Sequence, residues 1–271
     1  MKIFEVSEKD LIEIKNDLET MHFKTQLNFF HTHLGIKPGK IHLVLGIPGG
    51  GKSTTRNTII SDFVSMNPGK KVLLHLSEES YDDYKKDLIR CPAMVKHSDK
   101  IIVYSEQNHP EHYANTEIAR ARFEANIIQS NCDLVLYDNI TTSKLYGGAP
   151  WQQEKFQEYL KPLMSETNIP IIVMAHTNKN IKAGHKGIID QNDVRGSGNL
   201  TNIAEFLYIL QTFVVNDKVH TTIRNVKHRG TEIGHKLYVL DFDNKTRIYK
   251  HAFPLDFEVF KKLYKKQHAL A

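Results

Sequence analysis

Cysteine is scarce in this chain of 271 residues, which contains only Cys91 and Cys132. Two cysteines cannot supply the disulfide framework of a small secreted protein, and their immediate neighbours do not have the spacing of a metal site. A chain of this length buries about three quarters of its unfolded surface, so its core needs neither kind of cross-link. We therefore expect a reduced, cytoplasmic compartment.

Long apolar runs are also missing. No stretch approaches the roughly 20 residues that a helix needs to cross a bilayer. The first five residues, Met1–Glu5, turn acidic at once and lack the apolar centre of a secretory signal. The sequence therefore predicts no membrane partner, and it contains no internal repeat and no low-complexity segment.

The charge balance is only mildly basic. The chain has 36 Lys and Arg residues against 31 Asp and Glu residues, which gives a formal net charge of +5 and a pI of about 8.9. This excess is compatible with a nucleic-acid partner, but a solvated surface of mixed charge is the simpler explanation. Charge alone therefore does not assign a function.

Short apolar runs alternate with longer amphipathic segments through the middle of the chain. Strands are predicted near 41–45, 72–76, 101–104, 134–137 and 169–174, and helices near 52–66, 80–90, 114–130 and 151–167. This alternation is typical of a parallel sheet with right-handed crossovers. Shorter strands with turn residues between them follow at 204–215, 218–225, 236–241 and 246–250. We predict an α/β fold with a mostly parallel central sheet flanked by helices and antiparallel strands at its C-terminal edge.

Both ends of the chain are predicted to lie outside this core. Apolar residues at helical spacing predict a helix over 7–33, before Gly35 breaks the pattern. We assign 1–34 to an N-terminal helical arm, 35–250 to the core and 251–271 to a basic tail that is helical from 254. The arm either packs on a neighbouring subunit or folds back on its own core.

The sequence GIPGGGKS at residues 46–53 matches the phosphate-binding pattern G-x-x-x-x-G-K-[ST] at every fixed position, between a predicted strand and a predicted helix. Glycines let backbone N–H groups converge on a phosphate, Lys52 supplies positive charge, and the Ser53 hydroxyl is a magnesium ligand. The alternative is a glycine-rich hairpin. We therefore predict ATP and Mg²⁺ as cofactors, bound by Gly46, Pro48, Gly49, Gly50, Gly51, Lys52, Ser53 and Thr54.

Carboxylates follow two of the predicted strands. Asp138 ends the strand 134–137 and is the candidate for the second magnesium contact. Asn139 comes next, so the base that activates water must come from elsewhere. We choose Glu78, which follows the strand 72–76, with Glu79 as its alternative. A solvated helix start, where acids are favoured by the helix dipole, is the simpler interpretation of this pair.

These motifs together resemble the RecA-like P-loop ATPases, and more closely the replicative hexameric DNA helicases of the DnaB-like group. The resemblance covers about 35–250. It is carried by the lead-in LGIKPG at 34–39, by HLSEES at 75–80, and by PIIVMAHTNK at 170–179. It places Glu78 on the glutamate that activates water and His176 on a polar sensor of the γ-phosphate. The helicases usually have Gln at that sensor, and a histidine satisfied within the core stays open as an alternative.

Two further segments resemble the same helicases. The sequence DVRGSG at 193–198 is similar to their channel loop, which implies that single-stranded DNA contacts Arg195, Gly196 and Gly198. The preceding cations Lys179, Lys182 and Lys186 would neutralise phosphates there without reading sequence, unless the segment is an ordinary surface loop. The sequence NVKHRG at 225–230 is similar to their K-x-R segment, which implies that Lys227 and Arg229 act on the nucleotide of a neighbouring subunit.

The resemblance implies a homo-hexameric ring that translocates on single-stranded DNA and acts as a DNA helicase in replication. About 34 residues precede the core where the full-length helicases have a large N-terminal domain, so primase binding and the stability of the ring on its own stay open, and the sequence does not identify a loader. Two alternatives stay open. One is a recombinase-like ATP switch of the KaiC or RadA kind that binds DNA without unwinding it, and the other is a small-molecule P-loop kinase that acts as a monomer.

Overall fold

The computed structural model describes residues 23–30, 35–146, 150–177, 188–194, 199–215, 217–228 and 236–269. The strands among them are β1 Ile41–Gly46, β2 Val72–Leu76, β3 Ile101–Ser105, β4 Leu134–Asp138, β5 Ile171–His176, β6 Phe206–Val215, β7 Lys218–His228, β8 Leu237–Asp243 and β9 Ile248–Leu255. The helices are α1 Lys52–Met66, α2 Tyr81–Ile89, α3 Pro92–Val95, α4 Thr116–Ser130, α5 Pro150–Thr167, α6 Asn199–Ile203 and α7 Phe257–Ala269.

All of these strands belong to one sheet, in the order β3-β2-β4-β5-β1-β6-β7-β8-β9. The first six strands of this order run parallel to one another. β1, β2, β4 and β5 are buried along their whole length. In β1, Leu43 and Leu45 join one hydrophobic cluster while Val44 joins another, so the central sheet buries both of its faces. The predicted α/β class and mostly parallel sheet are confirmed.

The C-terminal strands extend the sheet beyond β1. β6 pairs in parallel with β1 and antiparallel with β7, and β8 and β9 continue the antiparallel part. Antiparallel strands at the C-terminal edge are therefore confirmed. The segment 204–215 was predicted as one of the antiparallel strands, but β6 also pairs in parallel with β1 and is therefore the last strand of the parallel part. Its first six residues are buried, and the backbone N–H and C=O groups of a buried strand need hydrogen-bond partners on both edges.

The N-terminal residues that the structure describes pack onto the core. Phe23 bridges to Ile36, and residues 28–30 form a turn, so the predicted helix over 7–33 does not extend through 23–30. Phe29 and Phe30 are buried, and the ring of Phe30 lies 5.1 Å from that of Tyr208 on β6. Burying these two rings requires the chain to turn here. The other residues of the predicted arm lie outside those described.

The C-terminal segment also packs on the core. β9 continues to Leu255, past the predicted core boundary at 250, and α7 follows at once. Phe260 and Tyr264 of this helix are buried with Phe213 of β6 and Leu237 of β8. The described part of the predicted tail 251–271 is therefore one strand and one docked helix. Among the described residues, no helix combines the length and apolar content that crossing a membrane requires.

The packing of α7 predicts a specific loss of stability. Phe260→Ala removes a ring that is 1% exposed, so we expect the free energy of unfolding to fall by about 3–5 kcal/mol. Val259 on the same helix is 45% exposed, and Val259→Ala should change it by no more than about 0.5 kcal/mol. Urea denaturation of both variants measures this. Equal midpoints for the two variants would show that α7 does not dock.

Candidate active site

The glycine-rich segment forms a tight loop between β1 and α1. Gly49 and Gly51 have φ angles of 74° and 88°, in the left-handed region that favours glycine. A Cβ on Gly51 would lie 2.7 Å from the Tyr249 hydroxyl oxygen of β9. α1 begins directly after Gly51, which as the N-cap residue has no side chain with which to cap the helix. The first N–H groups of α1 are therefore available to a ligand rather than to a capping side chain.

This loop lines a cleft of about 270 Å³ at the carboxyl edge of the parallel strands. The lining comes from the loop, from the start of α1 and from the ends of β2, β4 and β5, and consists of Pro48, Gly49, Gly51, Lys52, Ser53, Thr54, Glu78, Glu79, Asp138 and His176. Register explains the convergence: Gly46 pairs with His176, and Leu76 pairs with Asp138. Gly46 and Gly50, which also belong to the predicted loop, are not among the residues that line the cleft.

Lys52 lies buried at the base of the cleft. Its Nζ donates to the carbonyl oxygens of Gly46 at 3.1 Å and Ile47 at 2.8 Å. The ammonium group is therefore held beside the loop, at the first position of α1, where the helix dipole also contributes positive potential. Together they make this end of the cleft attractive to an anion.

Glu78 faces His176 and Asn139 across the cleft. Its Oε1 lies 3.4 Å from His176 Nε2, which in turn lies 2.7 Å from Asn139 Nδ2. The Oδ1 atom of Asn139 accepts from the backbone N–H of Thr141 at 2.9 Å, which turns the amide nitrogen toward His176. The contact with His176 holds the pKa of Glu78 below its ordinary value, with help from Asn139 and Thr142. Glu78 is therefore a carboxylate at neutral pH.

Arg56 is a site residue that the sequence reasoning missed. It lies one turn after Lys52 on α1, is fully buried, and its Nη1 donates to Asp138 Oδ2 at 2.9 Å and to both carboxylate oxygens of Glu79 at 3.2 Å. Burial acts to lower the pKa of this guanidinium, but the charges of Asp138 and Glu79 outweigh it and the pKa is raised. The available signal was that Ile59 and Ile60 follow Arg56 by three and four residues, which places the arginine on the apolar face of α1, where a buried cation needs a carboxylate partner.

The two adjacent glutamates consequently differ. Glu79 is bound to Arg56 and its backbone oxygen accepts from Ser105 Oγ at 2.6 Å, whereas Glu78 has no contact with Arg56 among those described. Burial raises the pKa of Glu79, and the charge of Arg56 opposes the shift. Both glutamates line the cleft, but Glu79 acts as a structural counter-ion for Arg56, whereas Glu78 is the one that contacts His176.

The remaining predicted residues fall into two groups. Lys227 lies on β7, and its Nζ donates to the carbonyl oxygens of Thr201 at 2.6 Å and Asn202 at 3.3 Å, within its own chain. The others lie outside the described residues; they are Lys179, Lys182, Lys186, Arg195, Gly196, Gly198 and Arg229. Thr177, directly after His176, bridges to Val194. The two residues that flank the segment 178–193 are therefore paired beside His176, which lines the cleft.

No family model matches the chain, and the search of curated proteins returns no match.

The buried ion pairs predict a large effect of removing Arg56. Arg56→Met leaves Asp138 and Glu79 without their counter-charge in a desolvated place, so we expect the free energy of unfolding to fall by about 3–5 kcal/mol at neutral pH. Lys70 pairs with Asp133 at 2.8 Å, but both side chains are partly exposed. Lys70→Met should therefore cost no more than about 1 kcal/mol. Urea denaturation of the two variants measures both free energies of unfolding. A similar small loss of stability in both would contradict the role of Arg56 as a buried counter-ion.

Proposed function

We propose that the protein is a RecA-like ATP hydrolase that couples hydrolysis to translocation on single-stranded DNA, as a homo-hexameric DNA helicase of the DnaB-like kind. The observation that carries the hydrolase part is the convergence of four separate segments in one cleft. Lys52, Glu78, Asp138 and His176 are separated from one to the next by 26, 60 and 38 positions along the chain, and all line the same cavity. The DNA part is supported by the sequence resemblance.

The residues fit a nucleoside triphosphate with Mg²⁺. The glycine loop leaves open space at Gly49, where an added Cβ would meet no atom within 4 Å, and α1 presents an uncapped N-terminus. Lys52 would hold the phosphates, and Ser53 and Asp138 would hold the magnesium ion. When bound, the ion neutralises charge on the phosphate oxygens. Asp138 has one oxygen on Arg56, so that arginine orients the carboxylate toward the cleft.

Glu78 is the general base in this proposal. A carboxylate with a lowered pKa stays deprotonated, and it accepts a proton from a water molecule that it orients toward the γ-phosphate. His176 and Asn139 fix its position. Because Thr177 bridges to Val194, a shift of His176 would reach Val194, which stands next to the stretch with Arg195, Gly196 and Gly198 that the resemblance assigns to DNA.

The trans contact of the ring centres on Arg229. Lys227 already donates to two carbonyl oxygens of its own chain, and this anchors the end of β7 from which Arg229 follows. An arginine supplied by a neighbouring subunit stabilises charge on the phosphates and makes hydrolysis depend on assembly.

The proposed base gives a direct prediction. Glu78→Gln keeps the shape and the hydrogen-bonding capacity but cannot accept the proton, so kcat for ATP hydrolysis should fall by about 10²–10⁴-fold. Binding of a fluorescent ATP analogue should be retained. The control is Glu117→Gln, an exposed position on α4 outside the cleft, which should keep the wild-type kcat. Unchanged hydrolysis in Glu78→Gln would remove Glu78 from this role.

The DNA and assembly parts need a separate experiment. We expect single-stranded DNA to stimulate hydrolysis and light scattering with an ATP analogue to give the mass of six subunits. Arg229→Ala should abolish hydrolysis, and mixing it with Lys52→Ala should restore part of it, because each variant supplies what the other lacks. DNA stimulation without unwinding of a forked substrate would favour the recombinase-like switch. A monomer that hydrolyses ATP under all conditions would exclude the ring.

A further inference from the structure

A cluster of metal-ligating side chains lies outside the cleft. His109, Glu111 and His112 sit on the short 3₁₀ helix Pro110–Tyr113 and its preceding residue, in the connection that follows β3. Pro110 occupies the first position of this turn and fixes its φ angle. Because a 3₁₀ helix has about three residues per turn, residues three apart share one side, and the rings of His109 and His112 lie 5.3 Å apart.

The donor atoms already have the spacing of a ligand set. Glu111 Oε1 lies 3.6 Å from His109 Nδ1 and 3.5 Å from His112 Nε2, and one donor atom from each residue fits within 4.8 Å of the others. Bonds of about 2.0–2.1 Å to a tetrahedral zinc ion place the donors about 3.3–3.4 Å apart. The two distances from the carboxylate to the imidazoles therefore need to shorten by only a few tenths of an ångström, and the distance between the two imidazole donors, which is at most 4.8 Å, by no more than about 1.5 Å.

Each histidine is also held through its other ring nitrogen. His109 Nε2 lies 3.2 Å from the Tyr81 hydroxyl, and His112 Nδ1 lies 2.6 Å from the Tyr104 hydroxyl. Arg122 Nε donates to the same Tyr104 oxygen at 3.3 Å and keeps it in place. Metal-binding histidines almost always have such a partner, because it fixes the tautomer and directs the remaining lone pair at the ion.

We propose that His109, Glu111 and His112 form a binding site for a divalent metal ion of the zinc class. Two imidazoles and one carboxylate suit zinc, whereas magnesium and calcium prefer all-oxygen ligands. The site is partly exposed, so water completes the coordination. The competing explanation is an ordinary ion pair between Glu111 and a histidine. That pair would need only one of the two histidines, and it would need neither tyrosine hydroxyl.

The site is linked to the loop that carries Glu78. Asn108 Oδ1 accepts from the Tyr81 backbone N–H at 2.8 Å, and Gln107 Nε2 donates to the Glu78 carbonyl oxygen at 2.5 Å. A metal ion at His109 therefore restrains the connection that supports Glu78. This makes the site a structural or regulatory one, separate from the cleft, and its existence does not depend on the proposed hydrolase function.

The test uses the full chain, stripped of metal by a chelator and free of nucleotide. Zn²⁺ is titrated in competition with a chromophoric chelator, and Co²⁺ replaces it for visible absorption. We expect His109→Ala with His112→Ala to lower the zinc stoichiometry by one per chain and to remove the cobalt band of that site. His251→Ala, at an exposed histidine on β9, is the matched control and should retain both. Tyr81→Phe should weaken zinc binding by about 10–100-fold.

Identical zinc isotherms for the wild type and the double variant would overturn the proposal, as would loss of the same equivalent in His251→Ala. The double variant changes an exposed turn, so its urea midpoint serves as the check that it folds. Hydrogen exchange of residues 78–81 gives a second readout, with slower exchange on zinc addition in the wild type and no change in the double variant. Neither readout requires ATP hydrolysis.

Discussion

The shared edge of the parallel strands is the constraint on which the rest of this structure depends. Parallel strands end on the same side, so residues that directly follow them are brought together however far apart they lie in the chain. Here the pairing of Gly46 with His176 and of Leu76 with Asp138 sets the distances across the cleft. The glycine loop adds the N-terminus of α1 to this edge. The site therefore consists mainly of strand ends and one helix N-terminus.

The buried guanidinium of Arg56 holds the same edge of the sheet in place. Arg56 forms ion pairs with Asp138 and Glu79 through a side chain that is only 1% exposed, and it thereby joins α1 to the ends of β4 and β2. Such a pair contributes more to defining one arrangement than to net stability, since desolvation offsets much of the attraction. It also separates the roles of two adjacent glutamates, because the one that binds Arg56 is not the one that faces His176.

The sequence predicted the features that depend on neighbouring residues, and it did not predict those that depend on contacts between distant residues. The alternation of apolar runs predicted the parallel strands and most helix bounds, and the spacing of Gly46, Lys52 and Ser53 predicted the loop. The pairing of Arg56 with Asp138 spans 82 positions and depends on which face of α1 meets β4, which no local pattern records. The docking of α7 on the core was not predicted for a related reason. The lysines of this helix suggested a solvated tail, whereas the structure buries the narrow stripe formed by Phe260 and Tyr264.

Tyr249 connects the outer strands to the phosphate-binding loop. Its hydroxyl lies against Gly51, and its backbone N–H donates to Thr58 Oγ1 on α1 at 3.0 Å. β9 is the outermost strand of the sheet, yet its Tyr249 contacts the phosphate-binding loop that follows β1. The position of the outermost strand and the shape of the phosphate-binding loop are therefore coupled through one tyrosine, so a change at this far edge of the sheet would act on the loop without any contact inside the cleft.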